Sequence, residues 1–395
     1  MPSNSTDSTR PLKVVVSPVP EGSQIDNRWP VSVNVEWIVT EYVDNKPEPS
    51  ALADADVYIG TDFNVAMGKA AKSLKAILIP AAGYDRIEPD AVPKNVIVAN
   101  AYHHEAPIAE WVMAVAVALD HELFHSDRSF RNGDWSQWPG RHGPYRELYG
   151  RTFGIIGYGA IGKRVARLAN AYEMRVIAAG RRSETLHEAK ADGVEYGAGR
   201  EAMDWVLRGS DFVLVSTPLM DSTQNLIGDR ELSLLRPNAY LINPARGHIV
   251  NEKALYNALV NKSIAGAAID TWYEYPVSND DSPRPSEYPF WKLENVIMTP
   301  HHSGATIGTL DRRAATVAAN IDRLATEGRK FTSFMVASPV CTPSRAALLT
   351  ACYPKRVGMH QHVLFPASKK GLHPEEHTIA DHLKSQGYAT ACFGK

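Results

Sequence analysis

The stretch Gly157-Tyr158-Gly159-Ala160-Ile161-Gly162 constrains this chain more than any other, because of what flanks it. An apolar strand pattern, Thr152-Phe153-Gly154-Ile155-Ile156, runs into it. An amphipathic helix pattern follows, with Ile161, Val165, Leu168 and Tyr172 on one face. A second strand, Arg175-Val176-Ile177-Ala178-Ala179, comes next. Strand, Gly-rich loop, helix and strand in that order are the context in which this spacing points to a dinucleotide site. The first glycine permits a tight turn and the second lets the backbone approach a pyrophosphate. The third allows close packing of helix on strand. The pyrophosphate would rest on amide groups at the helix N-terminus. The expected contacts are Gly157, Gly159, Ala160, Ile161 and Gly162.

The chain has 395 residues, room for two or three domains. Its formal net charge of −2 gives no reason to expect a nucleic-acid or anionic-membrane partner. Met1 to Thr9 is polar, with no apolar core of a signal peptide. Apolar runs such as Met113 to Leu119 are far short of a membrane span. A cytoplasmic protein is expected. All three cysteines, Cys341, Cys352 and Cys392, fall after residue 340, which suggests a different origin for the last stretch. An odd count without a secretion signal argues against a disulfide framework.

Short apolar runs bounded by Gly, Pro or charge read as buried parallel strands. Before the Gly loop these are Leu12–Val16, Val57–Gly60, Ala76–Ile79 and Val96–Ala99. A helix pattern from Ala106 to about Phe124 follows, then a Trp-rich connection. After the loop come Phe212–Val215, Ala239–Ile242, Gly266–Ile269 and Asn295–Met298, then a helix pattern from Thr306 to about Thr326. A Gly loop usually opens its domain, and this one lies past residue 150. Another α/β domain therefore precedes it.

Three further segments close apolar strands: Asn243-Pro244-Ala245-Arg246-Gly247, Ala268-Ile269-Asp270 and Thr299-Pro300-His301-His302. Ligands of open α/β sheets bind outside the carboxyl ends of the strands. An arginine, an aspartate and a histidine thus converge on one side. Arginine suits bidentate capture of a carboxylate, and histidine suits proton transfer near neutral pH. Beside a nicotinamide, that set suggests chemistry between a 2-hydroxy acid and a 2-keto acid.

In residues 12 to 328 the set resembles the D-isomer-specific 2-hydroxyacid dehydrogenase family. The resemblance implies two doubly wound parallel-sheet α/β domains. A flavodoxin-like substrate domain would span 12–118, completed by 302–328. A Rossmann dinucleotide domain would span 119–301. It implies Arg246 as the substrate-carboxylate clamp, His301 rather than His302 as acid/base, and Asp270 as a further catalytic residue. The loop Ala81-Ala82-Gly83-Tyr84-Asp85 matches the family's substrate loop, so the amides of Ala82 and Gly83 would also hold the carboxylate. Further cofactor contacts are implied for Thr217, Pro218, Ala245 and Asp270, and a homodimer is expected. No metal is implied. The rival reading, a non-catalytic dinucleotide sensor like the C-terminal-binding corepressors, lacks the extra partner-binding regions it would need.

Two positions depart from the family pattern. The family usually carries a glutamate five residues after the aspartate, paired with the histidine. Tyr275 stands there, with Glu274 one residue earlier as a substitute if the backbone shifts. A carboxylate partner would raise the histidine's pKa. NAD-specific members end the second strand with an aspartate for the ribose 2′-hydroxyl. Here Gly180 stands at that place, followed by Arg181 and Arg182. Losing the carboxylate removes repulsion of a 2′-phosphate, and two guanidiniums attract one. The pattern favours NADP(H) over NAD(H).

The last stretch contains Cys341-Thr342-Pro343-Ser344-Arg345 and then Leu348-Leu349-Thr350-Ala351. From about Ile321 to the end it resembles the sulfatases. The resemblance implies a formylglycine nucleophile at Cys341, support from Arg345 and a sulfate contact at Lys395. The sulfatase metal ligands have no matching segments, and a hard divalent cation needs about six oxygens. Residues 329–395 therefore read as a partial sulfatase-like segment joined to a dehydrogenase by gene fusion, recombination or a sequence-assembly error, and sulfate-ester hydrolysis as the weaker alternative function.

Overall fold

The computed structural model describes residues 10–17, 29–39, 42–43, 46–276 and 281–326. The first sheet contains β1 (Leu12–Val16), β2 (Val35–Val39), β3 (Val57–Ile59), β4 (Ala76–Ile79) and β5 (Ile97–Asn100). All neighbours pair in parallel in the order β2-β1-β3-β4-β5. That is the flavodoxin-like order expected from the sequence. β3 and β4 are buried along their whole length, as continuous apolar runs in parallel sheets should be. β2 was not expected. It lies at the edge, where Glu36 is exposed and interrupts the apolar run.

The second sheet contains β6 (Thr152–Ile156), β7 (Arg175–Gly180), β8 (Glu195–Ala198), β9 (Phe212–Val215), β10 (Tyr240–Asn243), β11 (Gly266–Ile269) and β12 (Val296–Met298). Its parallel order is β8-β7-β6-β9-β10-β11-β12. The chain starts at the centre, builds outward through β8, then reverses at β9. This is the Rossmann order with one added strand, and its switch point lies between β6 and β9.

The first sheet is followed by the short helix α1 (Val65–Ala70) and, beyond β5, by α2 (Glu105–Asp120) and α3 (Leu123–Arg131). The second sheet carries α4 (Ala160–Ala171), α5 (Leu186–Ala191), α6 (Arg200–Gly209), α7 (Asp229–Ser233) and α8 (Glu252–Val260), and α9 (Ile307–Thr326) follows β12. α2 is Ala-rich, which favours helix. Its Ile108, Val112 and Ala116 pack with Val165, Ala166 and Ala169 of α4 and with Phe153 and Ile155 of β6. Each fully buried large aliphatic there contributes about 1.5–3 kcal/mol. The opposite face buries Val206, Leu207, Leu255, Trp272 and Phe290.

Two expectations for helices need correction. The pattern from Ala106 to Phe124 is not one helix. α2 ends at Asp120, because Glu122 takes a left-handed conformation with φ 49°, and α3 starts anew. Tyr172, placed on the buried face of α4, is instead the residue that ends that helix and is 47% exposed.

α9 returns to the first sheet's side. Arg313 Nε donates to the Tyr102 carbonyl at 2.9 Å, and the Ser32 amide donates to Asp322 Oδ1 at 2.7 Å. Its own Val317, Ala318 and Ile321 are buried. The described residues all belong to one compact unit. Cys341, Arg345 and Lys395 lie outside the described residues. No helix among the described residues is long and apolar enough to cross a membrane.

Candidate active site

The Gly loop sits at the switch point. Gly157 has φ 101°, a conformation that side chains disfavour, and its amide donates to the Ala179 carbonyl at 2.8 Å. A Cβ at Gly162 would lie 2.6 Å from the Gly157 carbonyl oxygen, so helix and loop approach as closely as they do only because no side chain intervenes. A Cβ at Gly159 would meet nothing within 4 Å, which leaves open space over the loop. Gly159 is the N-cap of α4 and provides no side-chain cap, so the amides of the first turn, from Ala160 and Ile161 onward, remain available to an anion. Across the switch point the Thr217 hydroxyl is buried without a hydrogen-bond partner. An orphaned donor beside an open amide cradle fits a dinucleotide. Pro218, next to it, is exposed.

Gly180 ends β7, and Tyr196 of the neighbouring β8 lies over it. The Tyr196 hydroxyl takes the space a Cβ at 180 would need, and it donates to the Arg182 carbonyl at 2.7 Å. Arg181 and Arg182 are exposed, and neither guanidinium pairs with a carboxylate among the described residues.

The strand-end loops follow. Asn243, 2% exposed, accepts from the Ala245 amide at 3.1 Å and donates to the Arg246 carbonyl at 3.0 Å. This turn fixes the Asn-Pro-Ala-Arg segment and projects Arg246 toward the loop after β4. There Arg246 meets Asp85: Nη2 donates to Oδ1 at 3.1 Å and Nε to Oδ2 at 3.4 Å. Nη1 donates to the Ala245 carbonyl at 2.8 Å. Burial would raise the Asp85 carboxyl, yet the hydrogen bond and charge of Arg246 hold it below its usual range. Gly83 lies directly against Nη2, where a Cβ would collide. The amides of Ala82 and Gly83 donate to no acceptor among the described residues. Arg246 and two unclaimed amides therefore meet from the two sheets, with donors left over for an anion.

Asp270, expected as a catalytic residue and cofactor contact, is fully buried and engaged otherwise. Its Oδ1 accepts from Thr299 Oγ1 at 2.5 Å and the His302 amide at 3.0 Å. Its Oδ2 accepts from the Ser303 amide at 3.1 Å and the Ser303 hydroxyl. The carboxylate staples the loop after β12. That loop includes His301, whose backbone is left-handed with φ 56°. Such a conformation costs about 1–3 kcal/mol in a non-glycine residue and persists only where its surroundings enforce it. Asp270 supplies that enforcement. His302, the alternative acid/base, has its amide in this staple.

His301 Nδ1 lies 2.9 Å from the Tyr275 hydroxyl, which also accepts from the Trp272 amide at 3.0 Å. Glu274 is exposed and does not take the glutamate's place; Tyr275 occupies it. Loss of hydration lowers the pKa of His301, Arg246 and Arg86 lower it further, and Asp270 and Asp85 oppose them. The motif reading also passed over His104. Burial first, then Arg313 and Arg246, push it down to about 4, so it is neutral at physiological pH. Its Nδ1 and the Asn100 Oδ1 are buried without partners. Adjacent histidines at residues 103 and 104 were the only signal for it in the sequence. No group of three or more His, Cys, Asp or Glu suited to a metal occurs among the described residues.

Comparison with known proteins gives the family and the fold. Residues 113–303 match the family described as D-isomer specific 2-hydroxyacid dehydrogenase, NAD binding domain. Residues 302–395 match the sulfatase family, starting before the Ile321 expected from the sequence and overlapping α9. The glyoxylate reductase of Korarchaeum cryptofilum is 34% identical over 274 residues, 68% of this chain and 78% of that one. That of Pyrococcus furiosus is 33% identical over 257 residues, 64% of this chain and 73% of that one. The structure of D-mandelate dehydrogenase from Rhodotorula graminis superimposes with a TM-score of 0.69 at 22% identity, covering 82% of this chain and 97% of that one.

Proposed function

The chain belongs to the D-isomer-specific 2-hydroxyacid dehydrogenase family, and we propose that it reduces a small 2-keto acid of the glyoxylate or hydroxypyruvate type to the 2-hydroxy acid. Members of this family are nicotinamide-dependent oxidoreductases of the CH–OH group. The observation that carries the substrate class is Arg246 beside the unclaimed amides of Ala82 and Gly83, with His301 on the same side of the sheets. In this reading residues 12–118 with 302–328 form the substrate domain and 119–301 the dinucleotide domain, with α2 crossing the boundary and packing on α4 and β6 of the second.

The dinucleotide would sit on the Gly157–Gly162 loop, with Thr217, Pro218 and Ala245 beside it, and would supply the hydride. The protein's own residues do the rest. Arg246 and the two amides hold the carboxylate and so fix the keto group. Protonated His301 gives its Nε2 proton to the carbonyl oxygen as it becomes an alkoxide, and neutral His301 takes that proton back in the reverse direction. Asp270 acts through the loop it holds rather than on the substrate. A panel of 2-keto acids with NADPH or NADH, followed at the nicotinamide absorbance, tests the assignment. Failure of every 2-keto acid to oxidise either cofactor would sink it.

NADP(H) is the proposed cofactor form. The support is that position 180 carries no acidic side chain, that the Tyr196 hydroxyl lies where a Cβ there would begin, and that exposed Arg181 and Arg182 follow it. A cytoplasmic homodimer is proposed as well. Its support is α3, which buries none of its own residues, with Leu123, Phe124, Phe130, Trp135 and Trp138 about half exposed around it. Sedimentation as a monomer at micromolar concentration would refute it. Residues 329–395 are proposed to take no part in the dehydrogenase reaction and to lack sulfatase activity.

A further inference from the structure

We propose that Tyr275 is the positioning residue of the acid/base histidine: its neutral hydroxyl fixes which ring nitrogen of His301 carries the proton and withholds from the charged ring the support a carboxylate would give. The inference rests on His301 as the acid/base. The Tyr275 oxygen accepts the Trp272 N–H at 3.0 Å, and His301 Nδ1 at 2.9 Å is the acceptor facing its own proton. With the Trp272 N–H already directed at the oxygen, donation from the hydroxyl to Nδ1 is the arrangement that gives each proton of the pair an acceptor, and it leaves the neutral ring's proton on Nε2. That nitrogen has no partner among the described residues and is the one left for substrate. When the ring becomes cationic, Nδ1 gains a proton of its own. Nδ1–H then donates to the oxygen that also holds the Trp272 N–H, and the hydroxyl hydrogen must turn away from the ring. A neutral hydroxyl brings no opposite charge to the cation, so it supports the charged form far less than a carboxylate would.

A carboxylate at position 275 would act in the opposite sense. It is acceptor-only, so it would place the neutral ring's proton on Nδ1 and stabilise the cation by charge. The other groups that face His301 cannot replace this control. Arg246 from the loop after β10 and Arg86 from the loop after β4 oppose the cation. Asp85 is paired with Arg246, and Asp270 has both oxygens engaged by Thr299, His302 and Ser303. Tyr275 is thus the one direct hydrogen-bond partner of the ring among the described residues.

The test compares the parent with Tyr275→Phe and Tyr275→Glu, using nitrogen-15 NMR of histidine-labelled protein and the pH profile of keto-acid reduction. In the parent, neutral His301 should show the Nε2–H tautomer. Tyr275→Glu should switch it to Nδ1–H and raise its titration midpoint by about 1–3 pH units. The descending limb of reductive kcat/KM should move to higher pH by the same amount. Tyr275→Phe should free Nδ1, scramble the tautomer and lower kcat more than it raises KM. An unchanged tautomer and midpoint in Tyr275→Glu would overturn the inference. A midpoint that moves while the rate profile stays put would leave the Tyr275–His301 pair standing and instead remove His301 from the acid/base role. If Tyr275→Glu does not fold, an unaltered tautomer in Tyr275→Phe is the refuting result.

Discussion

Replacing Arg246 by alanine separates a structural ion pair from a catalytic clamp, because the structure assigns very different sizes to the two. Arg246 and Asp85 are about one-third exposed, and such pairs contribute about 0–1 kcal/mol to stability. The melting temperature should therefore fall by only a few degrees. Substrate binding would lose more. A 2-keto acid carboxylate held by the guanidinium beside the Ala82 and Gly83 amides has no second cation placed like Arg246. Truncating one partner of a desolvated charge pair costs about 2–5 kcal/mol, or about 30-fold to several-thousand-fold in kcat/KM. Dinucleotide affinity, measured by fluorescence titration, should stay near the parent value, because the Gly loop is untouched. Arg246 also lowers the His301 pKa, so whatever activity remains should have its reductive limb at higher pH. Reduction needs protonated His301, and removing a neighbouring cation makes that form persist to higher pH. Arg246→Lys should recover a part of the loss, since it restores the charge without the planar fork. Unchanged kcat/KM in Arg246→Ala would refute the clamp. A large fall in melting temperature with an unchanged pH limb would show that the residue serves structure alone.

Asp270→Asn should lower stability by about 2–4 kcal/mol, since an amide offers donors to groups that are themselves donors; a denaturant midpoint equal to the parent's would contradict this. The same variant should lower kcat by loosening the left-handed His301 loop. Arg181→Ala with Arg182→Ala should shift preference toward NADH. Gly180→Asp should not do so unless Tyr196→Ala also clears the space, and an NADH-preferring Gly180→Asp single variant would show that Tyr196 does not guard the position. A chain ending at residue 330 should keep its keto-acid reduction, and Cys341→Ala in the full chain should change nothing. Loss of reduction on that truncation, or metal-dependent aryl-sulfate hydrolysis lost with Cys341→Ala, would reverse the reading of the tail.

The sequence alone determined the parts of this protein that rest on local periodicity. Buried parallel strands are continuous apolar runs, so β3, β4, β6, β9, β10 and β11 stood out, and the Gly spacing between β6 and α4 marked the dinucleotide domain. Edge strands have one exposed side, so Glu36 in β2 and the exposed Glu195 of β8 broke the pattern and hid both. The residue types at the strand ends were legible, and the resemblance pointed to position 275 beside the histidine, but the partner of Arg246 was not legible. Arg246 meets Asp85 from 161 residues away, and His301 meets Tyr275 from 26 away. No periodicity reports such pairings, because they depend on how two sheets and their loops come together. Tertiary structure therefore decided that the aspartate after β11 is buried and holds the loop after β12. It also decided that Tyr196 fills the room beside Gly180, and that the Tyr275 hydroxyl, rather than Glu274, is the group that meets the His301 ring.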